Sequence, residues 1–183
     1  MIKYKIFKRI FDCLFSFLFL IISSPIILLT CFLIKISSRG PIFFTQERIG
    51  KKGKPFKLYK FRTMHINKSF TKWSSTTRSN DPRVFKFGWL IRILKIDEFP
   101  QFLNIIRGEM SLVGPRPTVQ EDYEMMSDKQ KRRNQVLPGL TGLAQIKGGT
   151  KLLWPERIEF DLIYIKKKSF FLDFKIIIKT ILM

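Results

Sequence analysis

The chain has 183 residues, of which 34 are Lys or Arg and 14 are Asp or Glu, giving a formal net charge of +20. That length suits one compact domain, and that charge seeks anionic partners: nucleic acid, an anionic membrane surface or phosphorylated substrates. With 45% hydrophobic residues, 19 of them Phe, it is neither a disordered basic tail nor composed like a purely soluble nucleic-acid binder.

The first element is apolar. Cys13 to Ile34 carries no charge over 22 residues, about 33 Å of helix, enough to cross a hydrocarbon core. The run is long for a signal peptide, and no small-x-small cleavage site follows it. A buried helix of a soluble protein would need a larger body around it. Pro25 interrupts the run after Ser23 and Ser24; its ring clashes with the carbonyl of Ile21 and should kink the helix. Serine hydroxyls can satisfy freed backbone groups in lipid. Both flanks are basic, with Lys3, Lys5, Lys8 and Arg9 before and Lys35 and Arg39 after. Cytoplasmic flanks collect such residues, and a straight span would export one of them. The pattern favours a helix–break–helix over residues 1–36, broken at Ser24 and Pro25, that enters the membrane and returns; a straight span stays open. Cys13 and Cys31 lie inside this run without metal-like partners and indicate no disulfide framework.

Ser37 to Pro41 reads as the turn leaving the membrane. Ile42 to Thr45 is extended, Gly50 to Pro55 a basic turn, and Phe56 to Phe61 alternates apolar and basic residues like a strand. His65 has no His or Cys cluster around it. Ser69 to Pro82 is polar and predicted to be a surface loop. Helices are predicted over Val84 to Leu94, Phe102 to Ile106 and Thr118 to Gln135, with a turn or extended segment at Val113 to Pro117 and a turn at Pro138 to Gly142. Phe170 to Leu182 places Phe170, Phe171, Phe174, Ile177, Ile178 and Ile181 on one helical face, with Asp173, Lys175 and Lys179 elsewhere. That is an amphipathic helix for the headgroup plane or for packing on a core. Lys166 to Lys168, just before it, suits an anionic surface.

Asp97 and Glu98 stand out. Between Asp81 and Glu109 they are the only acids, among Arg83, Lys86, Arg92, Lys95 and Arg107. Pro100 suits a first helical turn, which predicts Asp97 near an N-cap, where the dipole favours negative charge. The segment alone reads as a plain helix cap, or as an Asp held ionised to attack a phosphate.

Taken in order, Lys60-Phe-Arg-Thr-Met64, Asp81-Pro-Arg83, Arg92 with Asp97-Glu98, Gly108-Glu-Met-Ser-Leu-Val-Gly-Pro-Arg-Pro117, Pro138-Gly-Leu-Thr-Gly-Leu-Ala-Gln145 and Phe160-Asp-Leu-Ile-Tyr164 resemble the bacterial sugar transferases, the small monotopic polyprenyl-phosphate phosphoglycosyl transferases. The resemblance runs from Ser24-Pro25 to Asp173-Phe-Lys175. It implies a mainly α fold with minor β: one domain, 1–183, with a re-entrant anchor (1–36) and a cytoplasmic catalytic region (37–183) bearing interfacial amphipathic helices, at the bacterial inner membrane. It implies that a UDP-sugar donates its phosphosugar to polyprenyl phosphate such as undecaprenyl phosphate, that UMP leaves, and that surface-glycan assembly begins. Asp97 would be the nucleophile, forming an aspartyl-phosphosugar intermediate, and Mg²⁺ would assist through Glu98. Arg92 and Arg116 are the chosen phosphate clamp, with Lys60 and Arg62 as further candidates. Glu109, Asp161 and Tyr164 match family positions but read equally as a helix-end charge, a structural ion pair and a packed aromatic. Gly114, Pro115 and Pro117 shape the backbone around Arg116. The chain departs from the pattern at Leu143, where many relatives carry Trp, and at His65 to Lys68, which lacks acids often found there; donor choice is expected to differ at that loop. Anionic inner-leaflet lipid is an expected partner, nucleic acid is not, and pairing of two copies is left open. The competing reading is a non-catalytic, basic, membrane-anchored protein that binds nucleic acid or anionic lipid.

Overall fold

The computed structural model describes residues 2–66 and 81–183, with side chains from residue 3 onward. Most of the predicted loop at Ser69 to Pro82 lies outside the described residues.

The fold is mainly helical with two small sheets. Helices α1 (Ile2–Ile22) and α2 (Ser24–Ser37) are bent by 62° about one another. The break falls at Ser23, one residue earlier than predicted. Ser23 gives both its N–H and its Oγ to the Phe19 carbonyl, at 2.9 and 2.6 Å. Pro25 occupies the first turn of α2, where its missing N–H costs no helix bond. It starts a helix rather than kinking one. Among the described residues no single helix is long and apolar enough to cross a membrane; the bent pair together has the length and composition of a broken span or a re-entrant loop.

Strands β1 (Phe43–Ile49) and β2 (Pro55–Phe61) form an antiparallel hairpin, with Phe44 opposite Lys60 and Gln46 opposite Leu58. Its turn at Lys51–Gly53 places Lys52 in the left-handed region. Helix α3 (Lys86–Ile93), a 3₁₀ turn (Ile96–Glu98) and α4 (Gln101–Arg107) follow. Strand β3 (Ser111–Val113) pairs in parallel with β4 (Gly139–Thr141). The predicted turn over Pro138 to Gly142 is therefore largely a strand. Glycine permits it: a Cβ on Gly139 would sit 2.1 Å from the Gly114 nitrogen, so only bare backbone allows the two segments to meet.

The helix predicted over Thr118 to Gln135 is instead α5 (Gln120–Glu124), α6 (Asp128–Lys131) and a 3₁₀ turn (Arg132–Gln135). Ser127 breaks it by forming a reciprocal capping box with Gln130. The chain ends with α7 (Leu143–Lys147), α8 (Trp154–Lys167) and α9 (Phe170–Ile181).

Leu58, Phe102, Ile105, Met110, Leu112, Val113, Tyr164 and Ile176 form the main core. Helix α1 is built into it. Phe19 stacks on Phe102 at 4.0 Å, and Phe15 tilts over the same ring at 6.4 Å. Asp12, just before the charge-free run, is buried and accepts hydrogen bonds from Ser111 Oγ (2.6 Å) and Leu112 N–H (3.3 Å). The opposite side of α1 exposes Ile6, Ile10, Leu14, Phe17 and Ile21.

Helix α9 packs on the core, one of its two expected roles, and keeps an exposed apolar side. One side enters the core through Ile176 and Asp173; the other exposes Phe171, Phe174, Ile178 and Ile181. Asp173 was expected away from the packed face. It is buried because Tyr4 Oη (2.7 Å), Lys8 Nζ (2.8 Å) and Tyr164 Oη (2.8 Å) all converge on its carboxylate.

Hairpin and α4 meet at Asn104, which is fully buried. Its Oδ1 accepts from Tyr59 N–H (3.1 Å), while its Nδ2 donates to the Lys57 carbonyl (2.7 Å) and Glu109 Oε2 (2.6 Å). Asn104→Leu keeps the volume but orphans these groups. At about 1–3 kcal/mol for each buried group left unsatisfied, the substitution is expected to lower unfolding free energy by about 2–4 kcal/mol in denaturant titration. A loss below 1 kcal/mol would show that the hairpin docks without this side chain.

Candidate active site

The acidic pair is presented by a short turn. At the end of α3, Lys95 donates its N–H to the Arg92 carbonyl (3.0 Å) and takes a left-handed φ of 55°, a conformation uncommon for residues other than Gly. The chain then winds through Ile96–Glu98. Glu98 N–H bonds the Lys95 carbonyl at 3.2 Å, and Phe99 N–H bonds the Ile96 carbonyl at 3.0 Å. The N-cap of α4 is Pro100. Asp97, predicted near the cap, therefore lies three residues upstream of the observed one, on its own turn. Ile96 and Phe99 seat that turn on the second core cluster, Ile34, Phe61, Phe85 and Ile91. The Phe99 ring also meets Phe19 edge-on at 4.8 Å. The turn that carries the carboxylates consequently rests on α1 through Phe99.

Three elements converge on the pair. Lys60 reaches from β2, with Nζ 2.9 Å from Glu98 Oε1 and 3.7 Å from Asp97 Oδ2. Arg116, from the loop after β3, places Nη2 2.8 Å from the same Glu98 oxygen. Arg92, at the end of α3, donates to Thr63 Oγ1 at 3.3 Å, and its charge acts on Asp97.

These neighbours split the two carboxyls. Burial raises the Asp97 pKa above the ordinary carboxylate range; the adjacent Glu98 charge adds to this, and Lys60, Arg92 and Arg116 oppose it. Burial also acts to raise Glu98, but Arg116 and Lys60 outweigh it and hold Glu98 at about 2. Glu98 is thus a permanently charged anchor for two cations, while Asp97 is the more basic carboxylate. Proximal groups whose pKa values are pushed apart are a recurring feature of catalytic sites.

Arg62 is elsewhere, which corrects its predicted place among the phosphate-binding side chains. It is buried, and its guanidinium donates to the carbonyls of Ser38 and Arg39, each at 2.7 Å. It clamps the chain where α2 ends. Three further family-matched residues also have structural surroundings. Glu109 bonds Asn104, Asp161 pairs with Arg133 at 2.5 Å, and Tyr164 Oη donates to Asp173 and the Val113 carbonyl. Leu143 opens α7 and packs against the main core. Sequence reasoning missed Arg48, on β1. It bonds Gln46 Oε1 at 2.6 Å and the Pro117 carbonyl at 3.5 Å, close enough for Arg116 to depress its pKa alongside burial. No spacing signal separates Arg48 from the chain's many other cations.

Among the described residues there is no group of three or more His, Cys, Asp or Glu able to hold a metal. Mg²⁺ does not require one, because it commonly binds through one or two carboxylates plus waters and substrate phosphates. Glu98 supplies such a carboxylate, with Lys60 and Arg116 both bonded to one of its oxygens, Oε1. The residues fit a Mg²⁺ that would be held through Glu98.

The match to known proteins covers nearly the whole chain. An uncharacterized sugar transferase of Bacillus subtilis strain 168, EpsL, is 43% identical over 96% of this chain and 86% of its own. The exopolysaccharide production protein ExoY of Rhizobium meliloti strain 1021 is 42% identical over 95% of this chain and 83% of its own. A UDP-glucose:undecaprenyl-phosphate glucose-1-phosphate transferase of Klebsiella pneumoniae is 43% identical over 96% of this chain, which spans only 39% of that longer protein. A profile for bacterial sugar transferases matches residues 3–183, and the chain belongs to that family.

Proposed function

We propose that this chain transfers a phosphosugar from a UDP-sugar to polyprenyl phosphate, releasing UMP and starting assembly of a surface glycan. The observation that carries the proposal is a buried carboxylate with a raised pKa, Asp97, among the charges of Lys60, Arg92 and Arg116, on a turn that packs on the first of two apolar helices through Phe99. A relative from Aeromonas hydrophila is named as acting on UDP-N-acetylgalactosamine and undecaprenyl phosphate, whereas the Klebsiella relative is named for UDP-glucose. Both names support a UDP-sugar as the donor class.

The chemistry runs in two displacements. An Asp97 oxygen bonds to the phosphorus attached to the sugar, the bond from that phosphorus to the bridging oxygen breaks, and UMP leaves with the electron pair. The phosphate oxygen of the lipid then bonds to the same phosphorus and restores the Asp97 carboxylate. Phosphoryl transfer depends mainly on alignment and charge neutralisation, which Lys60, Arg92 and Arg116 would supply. Arg116 is half exposed, so its guanidinium can meet an incoming diphosphate while Glu98 holds its inner side. Mg²⁺, held through Glu98, would neutralise phosphate charge.

The helix pair would enter the cytoplasmic leaflet and return, with basic flanks at both ends. The apolar outer side of α9, with Phe171, Phe174, Ile178 and Ile181 exposed, would lie at the same headgroup plane. In a variant lacking Cys13 and Cys31, a cysteine reporter at the N-terminus is expected to react with impermeant reagent only from the cytoplasmic side; periplasmic labelling would replace the return by a span.

Asp97→Asn is expected to lower UMP release by about three orders of magnitude or more, as loss of a nucleophile does. Mass spectrometry of the unsubstituted protein with UDP-sugar alone should find one phosphosugar on Asp97. Full turnover in the Asn variant would end the assignment.

The pH profile offers a signed test. Asp97 must be ionised, so activity falls as pH drops through its raised pKa. Glu98→Gln removes a charge that raises that pKa and frees Lys60 and Arg116 to lower it. The acidic limb of kcat/KM should move down in pH. Lys60→Met removes a lowering charge, and its limb should move up. Limbs that stay in place, or move together, would reject this electrostatic account.

A further inference from the structure

We propose that Arg133, gripped by Asp161, is a positioning residue for Arg116 and acts through the Arg116 main chain. The inference rests on the phosphoryl-transfer reading above.

The bond to Glu98 fixes one nitrogen at the tip of the half-exposed Arg116 side chain and leaves its main chain free to shift. Its backbone must be held by other means. Residues 115 and 117 are prolines and have no N–H. The handles that remain on this stretch are chiefly carbonyls, and four successive ones are taken. Gly139 N–H donates to the Pro115 carbonyl (2.9 Å), Arg133 Nη2 to that of Arg116 (2.9 Å), Arg48 Nη1 to that of Pro117 (3.5 Å), and Ile49 N–H to that of Thr118 (2.8 Å). The one side-chain grip at close distance comes from Arg133.

Arg133 is built for this task. It is 3% exposed and lies on the 3₁₀ turn after α6. Its Nε (2.9 Å) and Nη2 (2.5 Å) both bond Asp161 Oδ2 on α8, and Nη2 also reaches Arg116. The Trp154 ring lies 5.6 Å from the guanidinium carbon. A buried ion pair is a poor source of stability, since apolar replacements are often as good. What it supplies is direction: the planar fork, once locked on Asp161, aims an N–H at the Arg116 carbonyl. Lysine keeps the charge but lacks the fork.

The test uses the full-length protein with UDP-sugar and polyprenyl phosphate in detergent. Arg133→Lys is expected to lower kcat/KM about 10- to 100-fold, the usual effect of losing a partner that orients a functional group, with little change in Tm. In an Arg116→Ala background it should cost no more than about twofold further, because the group it orients is gone. Arg133→Gln with Asp161→Asn, which leaves no buried charge, should show the same loss and decides the matter if the lysine variant does not fold. A second readout needs no turnover: the rate at which phenylglyoxal modifies Arg116, followed by mass spectrometry of the Arg116 peptide, should rise at least about twofold in Arg133→Lys. Parental kcat/KM in the variants, losses that multiply with Arg116→Ala, or an unchanged rate of Arg116 modification would each overturn the proposal. Absence of UMP release from the unsubstituted protein would instead defeat the transfer reading, and the rate of Arg116 modification would still judge the placement of Arg116.

Discussion

One carboxylate oxygen, Glu98 Oε1, organises the site. Lys60 and Arg116 come from a hairpin and from a proline-bounded loop, and both bond that oxygen within 3 Å. Two cations this close would repel one another; a fixed anion between them lets both face the same space. Their combined field keeps Glu98 charged to about pH 2 despite its burial. Since the unfolded group titrates near 4.5, this contribution to stability is complete above that value and disappears as pH falls toward 2. Asp97, one residue away, experiences the opposite balance and becomes the more proton-avid of the two.

The arrangement also ties chemistry to the apolar helices. The turn that carries Asp97 rests through Phe99 on Phe19, four residues before the Ser23 break. Helix α1 then continues over Phe102, at the start of α4. The apolar helices and the acidic turn are parts of one packed body, so Asp97 and Glu98 hold a fixed place relative to α1.

Much of this was legible in the sequence. The acidic pair stands out because it interrupts a stretch of cations, and the ordered motifs carry the family. Alternation revealed the second strand of the hairpin but not its pairing with the first, and Pro25 after two serines marked the break. Other features depended on partners distant in the chain. Asp173 looked solvent-facing by helical spacing, but Tyr4 and Lys8, more than 160 residues earlier, draw it inward. Arg62 lay in a motif that suggested phosphate binding, yet two carbonyls at the end of α2 take its guanidinium. Arg133 carried no local signal at all; its meaning comes from Asp161 and a carbonyl in another loop. The strand at Gly139 was read as a turn because local chemistry cannot show that another backbone will approach it.

Asp12 has a consequence for how the protein is made. It leaves the ribosome on the first helix, while the serine hydroxyl and amide that receive its carboxylate arrive 99 and 100 residues later. At synthesis rates of about 5–20 residues per second, that helix waits about 5–20 s with an acid on the side that will later be dry. During that interval it must rest where water still reaches the acid, and its final seating is a late step in biogenesis that completes only when the interior strand has been translated.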